Sequence, residues 1–284
     1  MPSTSAVPPS DVPTTGSAAA PTTVASVPVE TTTAPPSTTA AASGPLSPDQ
    51  RRRADELIST FENSTTELQY GYASELGDGR GITAGRAGFT SATGDLELVV
   101  EKYVALVPST PLAAFLPELK RLAADRDPNT AGLTGFVAQW EQASTDPLMR
   151  TSQDAIVDQL YFGPAMARGQ AVGLQTALAL TAVYDTAIQH GDGDDPDSLQ
   201  AIIGETTKRL GGSPSSGIDE RAWLTEFLAV RRRHLLNAAQ PATRAAWRES
   251  VGRVDALQSL VKSGNLDLTG PFSVTVYGDR FTIA

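Results

Sequence analysis

The stretch that most constrains this chain is Ala171 to Ile188, AVGLQTALALTAVYDTAI, which is apolar on nearly all faces when wound as a helix. A helix without a polar side has no face to present to water, so it belongs at the centre of a fold with other elements packed round it. Pro164 suits the first turn of such a helix and Gly191 its stop, which predicts one long helix running to His190. Asp185 lies inside the apolar run. A buried acid is rarely tolerated unpaired, so this position predicts an arginine partner, unless Asp185 turns to solvent near the helix end.

Helical signals recur on both sides. Ser47-Pro48-Asp49-Gln50 reads as a helix start with a capping box. Ala54, Leu57, Ile58 and Phe61 then fall at the spacing of one buried face, Glu62 follows in the last turn, and Asn63 is the expected stop. Asp95 can cap a helix carrying Leu96, Val99, Val100, Tyr103 and Val107. Further helices are expected over 112–124, 136–143, 219–239 and 247–261, with a loop at 127–132. Within 219–239 the residues Trp223, Phe227, Leu228 and Leu235 point inward, and one of Arg231, Arg232 and Arg233 turns in with them. The end, Phe272 to Ile283, alternates apolar and polar residues around Gly278-Asp279, a hairpin signature. The expected fold class is mainly α, with small β elements.

The core has to be built from residues 47–284. Pro, Ser, Thr and Ala make up 35 of the first 46 residues, and no aromatic precedes Phe61. Such a segment cannot bury enough apolar surface to offset chain entropy, so residues 1–46 read as a disordered tail or spacer of the kind seen in extracellular stalks. The start MPSTSAVPPSDVPTT has neither the basic nor the apolar region of a signal peptide. No window approaches an uncharged 18-residue apolar run, so no transmembrane helix is expected. The 284 residues carry a net charge of −10, and −8 without the tail acids Asp11 and Glu30. That sign argues against nucleic acid and anionic membranes as partners, and it suits either simple solubility or a cationic polymer. With two histidines and no cysteine a zinc site is not expected. Counted from Asp192, the acidic stretch puts Asp197 and Ile203 where a calcium loop needs Gly and Glu, so a solvated loop is the expectation and no metal is assigned.

The stretch from Phe61 to Asp95 is where chemistry can be placed. Glu62 ends a helix, where the negative end of the dipole and burial beside Phe61 oppose ionisation. Sixteen residues later, Asp78 stands in Gly77-Asp78-Gly79-Arg80-Gly81, a turn that exposes a short acid and lets a ligand approach the backbone. Thr83 offers a hydroxyl that could hold a water beside Asp78. Two acids of unlike surroundings are what glycoside hydrolysis needs, one to protonate the leaving oxygen and one to activate water. Taken singly, Glu62 also reads as a solvated helix end and Asp78 as an ordinary hairpin loop.

The segments ENS at 62–64, YGYASELGDGRGITAG at 70–85 and GFTSATGD at 88–95 resemble the active-site block of the glycoside hydrolase family 46 chitosanases. So do YF-x-PA from Tyr161, VYDTAIQHGDGDDP at 183–196, DERAWLTEFLAVR at 219–231 and RVDALQSLVKSGNLDL at 253–268. The resemblance spans roughly residues 48 to 284. It implies a lysozyme-like arrangement of two helical lobes around a long central helix, with a substrate cleft between. It also implies inverting, endo-acting cleavage of the β-1,4 links of chitosan without a cofactor, by a secreted monomer. Glu62 would be the proton donor, Asp78 the general base, and Thr83 the residue that places the water. Asp185, Arg231 and Arg253 match a supporting Arg–Asp–Arg cluster, while Tyr72, Arg80, Asp95 and His190 match positions that touch the sugar chain. His190 reads equally well as a helix-end cap, and capping alone would account for Asp95. Ser74 and Asn237 stand where some members carry acids that grip substrate amines, and the loop from Asn63 to Gln69 is trimmed. Those departures leave open a peptidoglycan-cleaving glycosidase; a wall-glycan-binding module without catalysis is a further alternative, against which the joint presence of Glu62, Asp78, Thr83 and the Arg–Asp–Arg positions argues. Inversion calls for carboxyl groups about 6.5–9.5 Å apart, against about 5–5.5 Å for retention.

Overall fold

The computed structural model describes residues 45–77 and 79–284, so most of the expected tail, and Asp78, lie outside the described residues. Helix α1 spans Pro48–Asn63. The Ser47 hydroxyl accepts from the Gln50 backbone N–H at 3.3 Å, and the Gln50 side chain accepts from the Ser47 N–H at 3.0 Å. The capping box is thus formed as read. Ala54, Leu57, Ile58 and Phe61 are buried, and the left-handed stop is Ser64 (φ 53°), one residue beyond the expected Asn63. Leu46, which composition placed in the tail, is buried in the core; one apolar residue cannot alter the average of the segment holding it.

Three short antiparallel strands follow: β1 Ala73–Glu75, β2 Ile82–Ala84 and β3 Phe89–Thr90, in that order across the sheet. Thr83 sits opposite Ser74 on one side and Thr90 on the other. The loop joining β1 to β2 takes its course from Gly77, Gly79 and Gly81, all at positive φ. At Gly81 the need is also steric, since an added Cβ would lie 2.2 Å from the Ser91 hydroxyl.

Helices then dominate: α2 Asp95–Leu106, α3 Leu116–Asp125, α4 Phe136–Ala143, α5 Pro147–Val157 and α6 Gly163–Ala171. The helix expected over 112–124 begins instead as a 3₁₀ turn, Pro111–Phe115. Helix α5, absent from the sequence reading, is capped by Asp146, whose carboxylate accepts from the Leu148 N–H. It passes through a π-helical turn, Asp158–Phe162, into α6.

The single helix expected from Pro164 to His190 is two. Helix α7 spans Ala177–His190, and the chain breaks before it at Gly173 (φ 88°). There the backbone lies so close to the 214–216 turn that an added Cβ would be 2.4 Å from Ser215 N. Hydropathy cannot reveal such a break, because the apolar run continues through it. Every residue of α7 from Ala177 to Ala187 is buried, which makes it the central helix. Round it lie α8 Leu199–Leu210, α9 Glu220–Leu236, α10 Arg244–Glu249 and α11 Gly252–Ser263. The helix expected over 247–261 is divided at Ser250-Val251. Strands β4 Phe272–Val276 and β5 Asp279–Ile283 close the chain as a hairpin. Its turn is Tyr277-Gly278 (φ 52° and 101°), one residue earlier than expected.

One apolar cluster joins these elements, with Trp140, Trp223, Phe89, Phe136 and Phe227 fully buried. Each large apolar side chain removed from water contributes roughly 1.5–3 kcal/mol. Among the described residues, no helix is long and apolar enough to cross a membrane.

Candidate active site

Glu62 stands in the last turn of α1 with its side chain 27% exposed. Its Oε1 accepts from Arg253 Nη2 at 2.5 Å. Arg253, at the start of α11, is buried, and its Nη1 lies 3.4 Å from Asp185 Oδ1. Asp185, on α7, is completely buried, and its Oδ2 accepts from Nη1 of Arg231 on α9. Arg231 also donates to Gln189 Oε1 at 2.6 Å. Charges therefore alternate along a line, Arg231–Asp185–Arg253–Glu62, from the centre of the molecule to a half-open surface. The burial of Asp185 required arginine, and it has two. Removing either acid would leave a cation in the interior without its counter-charge, which costs several kcal/mol. Of the neighbouring arginines, Arg232 pairs with Asp255 and Arg233 with Glu205 in more exposed positions, so only Arg231 of the three turns in.

Tyr161 connects this line to the sheet side of the site. Its hydroxyl donates to Asp95 Oδ2 at 3.4 Å. Burial pushes its pKa up, as does Asp95; Glu62 acts in the same direction and Arg80 opposes it. The Glu62 and Arg80 charges thus both reach one phenol, which stays a protonated donor. Asp95 is the first residue of α2. Its Oδ1 accepts from Thr90 N (2.7 Å), Thr93 Oγ1 (2.6 Å) and Leu96 N (3.0 Å), so it ties β3 to the helix start and keeps Oδ2 for Tyr161. Thr83, buried on β2, has a hydroxyl with no hydrogen-bond partner among the described residues.

Tyr72, just before β1, is exposed, beside a groove of about 950 Å³ bordered by Glu56, Glu67 and Tyr70. His190 is the last residue of α7 and is buried. Its Nδ1 lies 2.8 Å from the Asp197 carbonyl oxygen, its ring packs on Trp247 at 4.6 Å, and Nε2 has no partner among the described residues. Burial, with Arg231 nearby, holds its pKa well below the ordinary range, so the ring is neutral.

Two residues of this region were not singled out from the sequence as site residues. Tyr161 lies in a π-helical turn, a distortion that often marks function. Tyr277 lies near enough to Arg253 for that charge to oppose the upward push that burial gives its pKa, and its ring covers Gly252, where an added Cβ would lie 2.6 Å from Cδ1. The one sequence signal for Tyr277 was its place beside the hairpin turn.

Comparison with known proteins identifies the family of the chain. The family model for glycosyl hydrolase family 46 matches residues 56–272, a span that holds Glu62, Thr83, Asp185, Arg231 and Arg253. A chitosanase of Bacillus subtilis (strain 168) is 54% identical over 229 residues, 81% of this chain and 83% of its own length. A mutant chitosanase from Bacillus subtilis MY002, solved in complex with 6 GlcN, superimposes with a TM-score of 0.79 at 52% identity, covering 84% of this chain and 100% of the other. The chitosanase of Gynuella sunshinyii in complex with chitotetraose superimposes with a TM-score of 0.79 at 50% identity, covering 84% and 99% of the two chains. With a mainly α fold, a family match over most of its length and close relatives of nearly equal extent, this chain belongs to glycosyl hydrolase family 46.

Proposed function

We propose that the chain is an endo-acting chitosanase that hydrolyses β-1,4 bonds between glucosamine units with inversion. Glu62 is the general acid, Asp78 the general base, and Thr83 holds the attacking water. The observation that carries this reading is the charge line ending at Glu62. When Glu62 gives its proton to the leaving glycosidic oxygen, negative charge develops on its carboxylate, and Arg253 is already 2.5 Å away to receive it. Asp185 shares Arg253, so that cation is not committed to Glu62 alone. As the bond from C1 to the leaving oxygen breaks, the water attacks C1 from the opposite face and Asp78 takes its proton. One proton leaves Glu62 and one reaches Asp78, and exchange with solvent restores both groups.

Among the described residues the Thr83 hydroxyl and His190 Nε2 have no hydrogen-bond partner, and in this reading the first holds that water and the second meets the sugar. Tyr72, Arg80 and Asp95 complete the sugar-binding set in this reading. The GlcN and chitotetraose complexes of similar proteins support a glucosamine polymer as substrate; in this reading a secreted monomer meets it outside the cell.

The test is the rate of reducing-end release from chitosan, with the anomer of the new end read by NMR. Glu62→Gln and Asp78→Asn each lose at least about two orders of magnitude in rate, as general acid–base roles imply, and the first-formed product is the α-anomer. Near-native turnover in either variant, or a β-product, refutes the assignment. Release from bacterial cell walls but not from chitosan would transfer the activity to peptidoglycan.

A further inference from the structure

A buried ion pair joins the sheet that carries Thr83 to the helix that carries Glu62. Arg86, in the turn between β2 and β3, has its side chain only 5% exposed. Its Nη2 lies 2.8 Å from Asp55 Oδ1 on α1, and its Nη1 lies 2.6 Å from Asp154 Oδ1 on α5. Asp55 precedes Glu62 by two helical turns, so the two acids share a face of α1. Arg86 follows Thr83 by three residues. Both carboxylates are held from behind. Tyr184 OH donates to Asp55 at 3.1 Å, Arg51 Nε donates to it at 3.0 Å, and Tyr70 OH donates to Asp154 at 2.9 Å. Arg86, Asp55 and Glu62 line one narrow cavity of about 20 Å³, which leaves little slack between turn and helix.

None of these groups takes part in the proton transfers proposed above. Nor does stability account for them, because well-packed apolar residues are often as stabilising as a buried ion pair. What a guanidinium fork supplies is direction: two fixed donors to two acids on different helices. We infer that Arg86 is a positioning residue, whose fork between Asp55 and Asp154 sets how far the Thr83 strand stands from the Glu62 helix, and hence the distance from acid to attacking water. This rests on the reading of Glu62 and Thr83 given above.

The test uses the full chain with hexaglucosamine. Misplacing reacting groups by about 1 Å costs on the order of 10² in rate, so Arg86→Lys, which keeps the charge but loses the fork, lowers kcat roughly 10- to 100-fold. Affinity for hexaglucosamine, measured by calorimetry in a Glu62→Gln background, stays within about twofold, since binding of the ground state does not depend on the spacing. Because Arg86 acts through the water site, Arg86→Lys combined with Thr83→Val is no more than about threefold slower than the slower single variant. A native kcat in Arg86→Lys, a parallel loss of affinity, or fully additive losses overturns the inference. If Arg86→Lys does not fold, Asp55→Asn decides the matter: a lower kcat at unchanged affinity supports the inference, and a native kcat overturns it. Native turnover in Glu62→Gln and Thr83→Val would instead sink the reading of the site itself. Losses there, without loss in Arg86→Lys or Asp55→Asn, sink only the role of Arg86.

Discussion

Replacing Asp185 with asparagine tests the charge line at its centre, with almost no change of shape. In the wild-type chain the fully buried carboxylate faces Arg231 on one oxygen and Arg253 on the other. Asparagine keeps an acceptor but removes the negative charge, so two buried cations are left with Glu62 as the remaining acid on the line. Breaking a buried pair by removing one partner costs about 3–5 kcal/mol. For a folded unit of this size each kcal/mol lowers the thermal midpoint by roughly 2–4 °C, so Asp185→Asn should melt about 6–20 °C lower. Activity should fall as well, by about tenfold or more at a temperature where the variant is folded, because Arg253 is then no longer fixed from behind. Differential scanning calorimetry and initial rates on chitosan measure the two effects. A midpoint within about 2 °C of wild type, with full activity, would refute the claim that Asp185 anchors the line, since the smallest loss consistent with it is larger.

Gly85→Ala should be destabilising by about 2–5 kcal/mol in urea unfolding, the sum of a left-handed residue's cost and overpacking. Gly85 has φ 75°, and a Cβ there would lie 2.5 Å from Gln153 Oε1 and 2.9 Å from Trp140 Cζ2. His190 makes stability pH-dependent. Its folded pKa lies well below the ordinary value of 6.5, so below that pH the unfolded chain binds the extra proton and stability is lost as pH falls. The slope is at most about 1.4 kcal/mol per pH unit, and His190→Gln should flatten the urea-midpoint profile between about pH 7 and 5.5. Raising ionic strength from about 0.01 to 0.15 M shortens the screening length from about 30 to 8 Å, and should lower kcat/KM on chitosan if the acidic surface steers the polycation. A rate that does not respond to salt would leave that charge to solubility alone.

Much of the fold could be read from local pattern. The box at Ser47 and Gln50, the buried faces of α1 and α9, and the helix at 136–143 depend on residues within a turn or two of one another. The misreadings have a common cause. The break at Gly173 is forced by the backbone of residue 215, and the π-turn at 158–162 leaves no mark in hydropathy. In the site, composition and motif singled out Glu62, Asp95 and Asp185, while Tyr161, Tyr277 and Arg86 gain meaning only from what lies against them.

By itself the sequence determined where α1, α2, α4 and α9 begin, that the 171–188 stretch had to be interior, and that an acid inside it had to meet arginine. Those statements rest on the properties of single residues and their near neighbours. Only the tertiary structure decided how the pairs close: Asp185 meets Arg231 across 46 positions, and Glu62 meets Arg253 across 191. The strength of an ion pair depends on distance in space and on how much water is excluded, and chain separation prescribes neither until the helices have packed.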